Sequence, residues 1–368
     1  MQVPFLDLKR QYAMLQPAID ELVAEVLAEQ RFVGGPRVAS FEKAFAASHN
    51  VSHCIGVGNA TDALFIIFKA LGIGRGDEVI VPAHGWLSAA EMVLLAGAKP
   101  VFADVDVTSY CLSVANLKSL VTSNTRAIIP IHLYGQMADM QALKTFANDR
   151  DIHLIEDCAQ AHFASNGGDM AGSIGIAGAF SFYPSKLLGA MGDGGCITTH
   201  DDALADKCRA IANHGGVGKN EHHMPGLNSR LDTLQAAILE FKMQHADDWI
   251  TARNHIAGYY ERELSTIAEI STPQISLGNA HNFHIYAIQA EQRDKLKSHL
   301  EAAGIQTEIH YPLATPFTAA FSNGNYTTKD FPVSAQLQRM ELSLPIYETM
   351  THPEVDHVVM TIKAFYGK

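Results

Sequence analysis

The sequence has little of what marks secreted, disulfide-rich or zinc-binding proteins. Its five cysteines are scattered, odd in number and without a CxxC pair: Cys54, Cys111, Cys158, Cys196 and Cys208. This spacing indicates neither a disulfide framework nor a zinc site, and it fits a reducing cytoplasm. The 18 histidines include the pair His222-His223, whose spacing does not place two ligands on one helix face. We therefore expect no metal site.

Positive charge and long apolar runs are also scarce. The net charge of −12 argues against a nucleic-acid surface built on bulk positive charge. No apolar run reaches the roughly 20 residues that span a bilayer. Residues 1–9 lack the hydrophobic stretch of a signal peptide. We expect a cytoplasmic protein with neither a nucleic-acid partner nor a membrane partner.

What the chain does have is the balance of a globular protein and an alternation of strands and helices. Its 368 residues, 47% hydrophobic and 18% charged, suffice for about two domains. Several strand candidates are continuous apolar runs, which is typical of strands covered on both faces. Helices are predicted over 88–96 and 140–148, and the alternation predicts an α/β domain with a mostly parallel sheet. The predicted strands are 78–82, 100–105, 127–131, 153–156, 179–182 and 196–199.

The alternation ends after a long helical pattern. Ser229 and Asp232 resemble a capping box that opens a helix running past Trp249. Beyond it the pattern predicts a strand over 284–290, a helix over 293–303 and a strand over 307–311. We interpret this part as a smaller α+β domain. The predicted division is 1–245 and 246–368.

Lys186 lies in the most informative segment. It follows Ser181 in an apolar stretch and precedes the glycine-rich residues 189–195, while Asp157 and Gln160 end an apolar run upstream. A desolvated lysine can form a Schiff base with the aldehyde of pyridoxal phosphate (PLP), and a carboxylate can keep the pyridine nitrogen protonated. Ser181 suits the phosphate, and Gln160 suits the phenolic oxygen. A solvated lysine and an aspartate that caps a helix are the ordinary alternatives.

Three further segments suit the same cofactor. A glycine-containing turn at 57–60 leads into a helix predicted to be capped by Thr61 and closed at Gly72, and such a helix start binds anions. Trp86 follows a strand end, where it could stack on a pyridine ring. Residues 225–230 form another anion-friendly helix start. Ordinary capped helices and a core tryptophan would give the same patterns.

Taken in order, these segments resemble the DegT/DnrJ/EryC1/StrS family of PLP-dependent nucleotide-sugar aminotransferases. The resemblance covers essentially the whole chain, and its most specific parts are residues 180–186 with 192–195, and residues 228–232. The other matching segments are 4–8, 58–64, 76–82, 156–162, 310–312 and 344–345.

This resemblance implies fold type I PLP-dependent aminotransferase architecture (aspartate aminotransferase-like), with a mostly parallel mixed sheet in a large domain and a smaller C-terminal α+β domain. It also implies a homodimer whose active sites lie between subunits. Lys186 resembles the Schiff-base lysine, and Asp157 the partner of the pyridinium. The other implied cofactor ligands are Gln160 on the phenolic oxygen, Trp86 on the ring, Ala60, Thr61 and Ser181 on the phosphate, and Asn228 from the partner subunit. The implied substrate contacts are Arg230, His310 and Tyr311.

The implied reaction moves an amino group from L-glutamate to a nucleotide-linked ketosugar in aminosugar biosynthesis, such as that of lipopolysaccharide O-antigen. The pair Tyr183-Pro184 favours a dTDP-linked 3-keto-6-deoxyhexose. The pair Ser185-Lys186 and residues 228–232 equally resemble enzymes for a UDP-linked 3-keto-N-acetylhexuronate, and a 4-keto sugar is the third alternative.

Two alternative functions remain as hypotheses besides the aminotransferase. One is a dehydratase of the same family, in which histidine replaces the lysine, and the other is a non-catalytic PLP-binding regulator. The intact Lys186, Asp157 and Gln160 argue against both. Departures from the family pattern at Ala60, Phe163, Leu187 and 313–316 concern the sugar pocket rather than the lysine site.

Overall fold

The computed structural model describes residues 1–218 and 220–368. Helices and strands alternate through the first two-thirds of the chain. The helices are α1 Leu8–Glu29, α2 Pro36–Ser48, α3 Ala60–Leu71, α4 Ser88–Leu95, α5 Val114–Leu117, α6 Met140–Asn148, α7 Asp202–Ala212, α8 Thr233–Met243, α9 Ala246–Leu264, α10 Arg293–Ala302, α11 Pro332–Met340 and α12 His352–Phe365. The strands are β1 His53–Val57, β2 Glu78–Pro82, β3 Lys99–Ala103, β4 Thr125–Ile128, β5 His153–Asp157, β6 Ser165–Asn166, β7 Asp169–Met170, β8 Ala177–Ser181, β9 Gly195–Thr199, β10 Gly216–Gly218, β11 Glu221–His222, β12 Ile270–Ser271, β13 Asn279–Ala280, β14 Tyr286–Ala290 and β15 Glu341–Leu344.

A mixed sheet forms the centre of the larger part of the molecule. Among the described residues its seven strands follow the order β1-β9-β8-β5-β4-β2-β3. Only β9 runs against its neighbours, and the remaining pairs are parallel. Apolar side chains on the two faces pack into two large clusters under the helices. The predicted α/β class with a mostly parallel sheet is confirmed, and strands covered on both faces explain the continuous apolar runs.

Most predicted elements of this sheet occur with ends shifted by one or two residues. Glu78–Pro82 and Met140–Asn148 have the predicted bounds. The sequence prediction missed β1, which is short and contains Gly56. A Cβ on Gly56 would lie only 2.8 Å from the Cβ of Leu231, so packing against Leu231 requires glycine at this position. Glycine weakens a strand, which is why the sequence pattern did not reveal β1.

The long helix predicted from residue 229 is wrong. Its apolar periodicity is real, but it belongs to two helices, α8 and α9, which are interrupted at residues 244–245. Helix α8 begins only after Asp232, whose side chain makes no capping hydrogen bond. The Ser229 hydroxyl instead donates to Asp62 at 2.6 Å and accepts from the Gly58 N–H at 3.0 Å. Ser229 therefore ties this segment to the start of α3, and the capping-box interpretation is wrong.

A three-stranded sheet, β12-β14-β15, orders the C-terminal part. It carries its own apolar cluster, to which α9, α10 and α12 contribute. The predicted strand over 307–311 is wrong. The backbone there makes only a single bridge, Glu308 to Ser343, because the His310 N–H donates to the Glu341 carboxylate at 2.6 Å instead. The division into domains at residue 245 stays a prediction.

Candidate active site

The candidate site forms where neighbouring parallel strands end. Asp157 is the last residue of β5 and Ser181 the last of β8, and these strands pair with Asp157 opposite Ala179. Ligand sites of open α/β sheets lie at this edge. Lys186 follows on the loop after β8, which is tightly folded: its N–H donates to Tyr183 O at 2.8 Å. Gly189 closes the loop, since a Cβ there would lie 2.3 Å from Pro184 O.

Lys186 and Asp157 form an electrostatic pair. Burial lowers the pKa of Lys186 to about 8, while the Asp157 charge acts in the opposite direction. Burial also raises the pKa of Asp157, against the lowering effects of the Ala159 N–H and of Lys186. Oδ1 of Asp157 accepts the Ala159 N–H at 3.0 Å, and Oδ2 hydrogen-bonds to none of the described residues. An amine that is partly unprotonated near neutral pH and a carboxylate with a free oxygen fit the aldehyde and the pyridinium nitrogen of PLP.

The start of α3 provides an anion site beside Ser181. Asn59, and not Thr61 as predicted, caps this helix by accepting the Asp62 N–H at 2.8 Å. Thr61 lies in the first turn, and Gly72 closes the helix in the left-handed conformation, as predicted. Gly195 pairs with Ser181 across β9 and β8. A Cβ on Gly195 would lie 2.5 Å from the Asn59 carbonyl carbon, so the strands and the helix start meet closely.

Ala60, Thr61 and Ser181 therefore lie around one helix N-terminus. Backbone N–H groups at such an end, together with nearby hydroxyls, suit a phosphate group. The structure thus brings together the three residues that the sequence assigned to the phosphate. Their role as its ligands stays a prediction.

An aromatic and amide cluster lies next to Asp157. The Gln160 Nε2 donates to the Tyr311 hydroxyl at 3.0 Å, and its Oε1 accepts the Tyr134 N–H at 2.6 Å. The Trp86 ring lies 5.7 Å from the Tyr311 ring. Trp86 is 57% exposed, which excludes a core tryptophan. A glutamine amide has two N–H donors, so Gln160 retains one for a further acceptor.

Asn228 and Arg230 are the predicted site residues on either side of Ser229. Both residues are exposed, and Arg230 donates to the Asn213 side chain at 2.9 Å. Neither side chain hydrogen-bonds to another predicted site residue within 1–218 and 220–368. Within a single chain the other predicted site residues therefore lie together, whereas the side chains of Asn228 and Arg230 are exposed.

The comparisons with known proteins agree with this geometry. The model of the DegT/DnrJ/EryC1/StrS aminotransferase family matches residues 14–363. The chain belongs to this family. One relative, the pleiotropic regulatory protein of Geobacillus stearothermophilus, is 42% identical and covers 100% of this chain and 99% of its own length. Two others are 38% identical: the dTDP-3-amino-3,4,6-trideoxy-alpha-D-glucose transaminase of Streptomyces venezuelae, with 98% and 96% covered, and the UDP-2-acetamido-2-deoxy-3-oxo-D-glucuronate aminotransferase of Pseudomonas aeruginosa, with 96% of both.

Solved structures give the fold and the cofactor. DesV of S. venezuelae in complex with a ketimine intermediate superposes with a TM-score of 0.97 at 37% identity, covering 100% of this chain and 99% of that chain. NtdA of Bacillus subtilis with bound pyridoxamine phosphate gives a TM-score of 0.93 at 28% identity, covering 100% and 86%. The fold is the fold type I architecture. The protein is a PLP-dependent sugar aminotransferase.

Sequence reasoning missed several residues that shape the site of this aminotransferase. Tyr134 donates its hydroxyl hydrogen bond to the backbone of His310, and its oxygen lies 3.0 Å from Nε2 of His84. His162 donates from Nε2 to the Ser181 carbonyl at 2.8 Å. His162 falls within the matching segment 156–162, so its position carried a signal. Tyr134 carried none, because it lies in a loop with φ of 61° and its partners are remote in sequence.

A buried group beside the site has metal-ligand chemistry but a structural role. Ligand atoms of His132, Glu156 and Cys158 all lie within 4.8 Å of one another. Both ring nitrogens of His132 are engaged, Nε2 with Glu156 at 2.8 Å and Nδ1 with the Ala138 N–H at 3.2 Å. Burial raises the pKa of the Cys158 thiol well above its ordinary value. A neutral thiol and a fully hydrogen-bonded imidazole are poor metal ligands, so the group supports β5 instead.

Among the described residues, no helix combines the length and the apolar character needed to cross a membrane.

Proposed function

We propose that this aminotransferase moves the amino group of L-glutamate to a dTDP-linked 3-keto-6-deoxyhexose, giving a dTDP-3-amino-3,6-dideoxyhexose. The observation that carries the aminotransferase part is the half-buried Lys186 amine beside Asp157, with pKa values shifted by burial. The pair Tyr183-Pro184 supports the dTDP-linked 3-keto-6-deoxyhexose, and the name of the S. venezuelae relative supports the dTDP nucleotide and the 3-amino position. The experiment is the reverse reaction with 2-oxoglutarate across a panel of nucleotide aminosugars. A dTDP-3-amino sugar should react fastest, and a faster UDP-linked or 4-amino sugar would refute the assignment.

Each residue of the site has a definite task in this proposal. PLP supplies an electron sink for the pair left behind when the donor α-carbon loses its proton. The Lys186 Nζ would take that proton from the donor α-carbon and donate it to the cofactor carbon, which suits an amine with a pKa near 8. The Asp157 carboxylate keeps the pyridine nitrogen protonated, and its free Oδ2 is the oxygen that would accept that N–H. Ala60, Thr61 and Ser181 hold the phosphate at the start of α3.

We also propose a homodimer in which Asn228 and Arg230 enter the site of the partner subunit. Both residues are exposed. Exposed apolar side chains on the same chain fit a contact with a second copy: Met14, Leu27, Phe32, Val33 and Met191. An apolar groove of about 560 Å³ lies between α1 and the loop that follows β8, and it is lined by Tyr12, Ile19, Val23, Leu27 and Met191. Apolar patches of this kind are typical of protein interfaces.

Complementation tests the shared site. Lys186→Ala should be inactive, and the double replacement of Asn228 and Arg230 by Ala should be nearly so. Mixing the two unfolded proteins and refolding them should restore about a quarter of the wild-type activity, because about half of the dimers are mixed and each has one intact site of two. A monomer in sedimentation, or no restored activity from dimers shown to be mixed, would refute the arrangement.

A UDP-linked 3-keto-N-acetylhexuronate is the second candidate substrate. The P. aeruginosa relative, whose name contains such a sugar, is as similar to this chain as the S. venezuelae relative. A 4-keto sugar is the third candidate. The aminosugar panel separates all three, because it varies the nucleotide and the amino position independently.

A regulatory function is the candidate of another class, and the name of the 42% identical relative favours it. The paired Lys186 and Asp157 give this chain the means for catalysis, so regulation would be an addition to its enzymatic activity.

We further propose that the protein is cytoplasmic. The five cysteines are free and buried, as in proteins of reducing compartments.

A further inference from the structure

A chain of hydrogen bonds leads from a buried carboxyl group to His310. Glu341 and Ser343 lie two residues apart on β15, so their side chains share one face of the strand. The Glu341 Oε1 lies 2.5 Å from the Ser343 Oγ, which lies 2.8 Å from Nδ1 of His310. The second oxygen of Glu341 accepts the His310 backbone N–H at 2.6 Å. Glu341 and Ser343 are 1% and 0% exposed, so water does not compete for these bonds.

The other side of the imidazole is available to a ligand. Nε2 of His310 hydrogen-bonds to no residue in the described part of the chain, and the ring is only partly buried. Burial lowers the pKa of His310 to about 4, and the Lys186 charge adds to this effect. The ring is therefore neutral near pH 7 and carries a single N–H. Its neighbour Tyr311 contacts Gln160 and Trp86, which places His310 at the cofactor site.

The hydrogen-bond chain allows two arrangements that differ by one proton. With Glu341 ionised, Ser343 donates to Glu341 and accepts from Nδ1–H of His310, so Nε2 offers a lone pair to the site. With Glu341 protonated, its O–H donates to Ser343, whose hydroxyl donates to Nδ1, so the ring proton resides on Nε2. A proton taken up at Nε2 and shifted along the chain converts the first arrangement into the second.

We propose that Glu341 and Ser343 are positioning residues that set the tautomer of His310, so that His310 presents an N–H donor to an oxygen atom of the sugar when Glu341 is protonated. The inference rests on the proposed function, because it takes the sugar to be the ligand at Nε2. An N–H donor there suits a hydroxyl or keto oxygen, whereas a lone pair would suit only a hydroxyl hydrogen.

Burial of Glu341 favours the donor arrangement near neutral pH, against the effect of the nearby positive charge. Burial raises the pKa of Glu341 to about 8, although Ser343, the His310 N–H and the Arg293 charge lower it. Arg293 binds the Glu341 backbone carbonyl at 2.6 Å and is the positive group that acts on the carboxyl. The Glu341 charge also interacts with three tyrosines, and the pKa values of all three are raised: Tyr110, Tyr134 and Tyr311. They are neutral phenols in this pH range and do not compete as anions.

The tautomer can be observed directly by ¹⁵N NMR of histidine-labelled holoenzyme, with His310→Gln to assign the signal. In the wild type the ring proton should move from Nε2 to Nδ1 as the pH rises through about 8. Glu341→Gln should keep it on Nε2 throughout, because the amide oxygen must accept the His310 N–H and its NH₂ group then faces Ser343. Glu308→Gln, the same change at an exposed position, should behave as the wild type. A Glu341→Gln protein that switches like the wild type, or a wild type with one tautomer at all pH values, would overturn the proposal.

A second measurement separates this inference from the proposed function. Affinity for a nucleotide aminosugar, measured by calorimetry, should fall about tenfold above pH 8 in the wild type, the cost of one lost hydrogen bond, and stay constant in Glu341→Gln. Ser343→Ala breaks the connection, so its His310 tautomer should no longer follow pH even if Glu341→Gln fails to fold. Aminosugar binding that is equally pH-dependent in Glu341→Gln would refute the role of the tautomer. If no variant binds any aminosugar, the proposed substrate fails, while the NMR result still decides the tautomer.

Discussion

Replacing Glu156 by Gln should destabilise the protein strongly, although the two side chains have the same shape. Glu156 is fully buried and accepts four hydrogen bonds. Its Oε2 accepts from Nε2 of His132 at 2.8 Å and from the Gly172 N–H at 2.9 Å. Its Oε1 accepts from the N–H groups of Ile174 and Gly175 at 2.8 and 2.7 Å. The carboxylate therefore joins the loop before β8 to the end of β5.

The expected loss follows from the donors that a glutamine cannot satisfy. One amide oxygen can accept two of the four bonds, and the NH₂ group then faces the other two donors. Each orphaned buried donor costs about 1–3 kcal/mol, so the two donors together cost about 2–6 kcal/mol. His132 cannot adapt by moving its proton, because its Nδ1 accepts the Ala138 N–H. We expect a loss of about 2–6 kcal/mol.

Urea unfolding of the apoprotein, followed by circular dichroism, measures this loss without the stabilisation that a bound cofactor adds. The control is Glu301→Gln, which removes an exposed carboxylate paired with Lys297 and should cost under about 1 kcal/mol. A Glu156→Gln protein within about 1 kcal/mol of the wild type would show that the four bonds contribute little, and the argument would fail.

Three further predictions concern catalysis and pH. Lys186→Ala should lower turnover by about 10³-fold or more while the cofactor still binds, and dialysis with absorbance spectra separates the two effects; full activity would refute the role of Lys186. Asp157→Asn should keep the fold but lower the rate of the glutamate half-reaction by at least about 10²-fold in stopped-flow measurements, and an unchanged rate would contradict the role of Asp157. The hydrogen bond from Arg10 lowers the pKa of Glu354 to about 2, against the effect of burial. This stabilisation is complete above the unfolded pKa near 4.5 and is lost as the pH falls toward 2, so Glu354→Gln should flatten the acid dependence of the unfolding free energy; an unchanged acid profile would refute this.

The strands of the seven-stranded sheet were well predicted from the sequence, because buried parallel strands are continuous apolar runs. The helix boundaries were predicted less well. Asn59, not Thr61, caps α3, and both residue types are good caps, so local propensity could not choose between them. The segment from Ser229 to Asp232 looked like a capping box, but the Ser229 hydroxyl is used by Asp62 and Gly58. Such long-range partners are invisible to a local pattern.

The site residues likewise include some that the sequence predicts and some that it does not. Lys186, Asp157 and Ser181 lie in or beside strands that apolar runs predict, and their proximity followed from the PLP motif and the family resemblance rather than from a predicted strand order. Tyr134 and Glu341 reach the site only through the folded chain, one from a loop and the other from the C-terminal sheet. Neither residue stands in a segment that matched the family, and their burial and hydrogen bonds alone reveal them.

The central claim is that Lys186 and Asp157 make this protein an aminotransferase that uses glutamate. The most direct measurement is the absorbance of the PLP-loaded protein during addition of L-glutamate, combined with assay of 2-oxoglutarate. We predict that the yellow band disappears, that about one 2-oxoglutarate forms per subunit, and that the nucleotide ketosugar restores the band. A band that persists at saturating glutamate, with no 2-oxoglutarate formed, would contradict the claim.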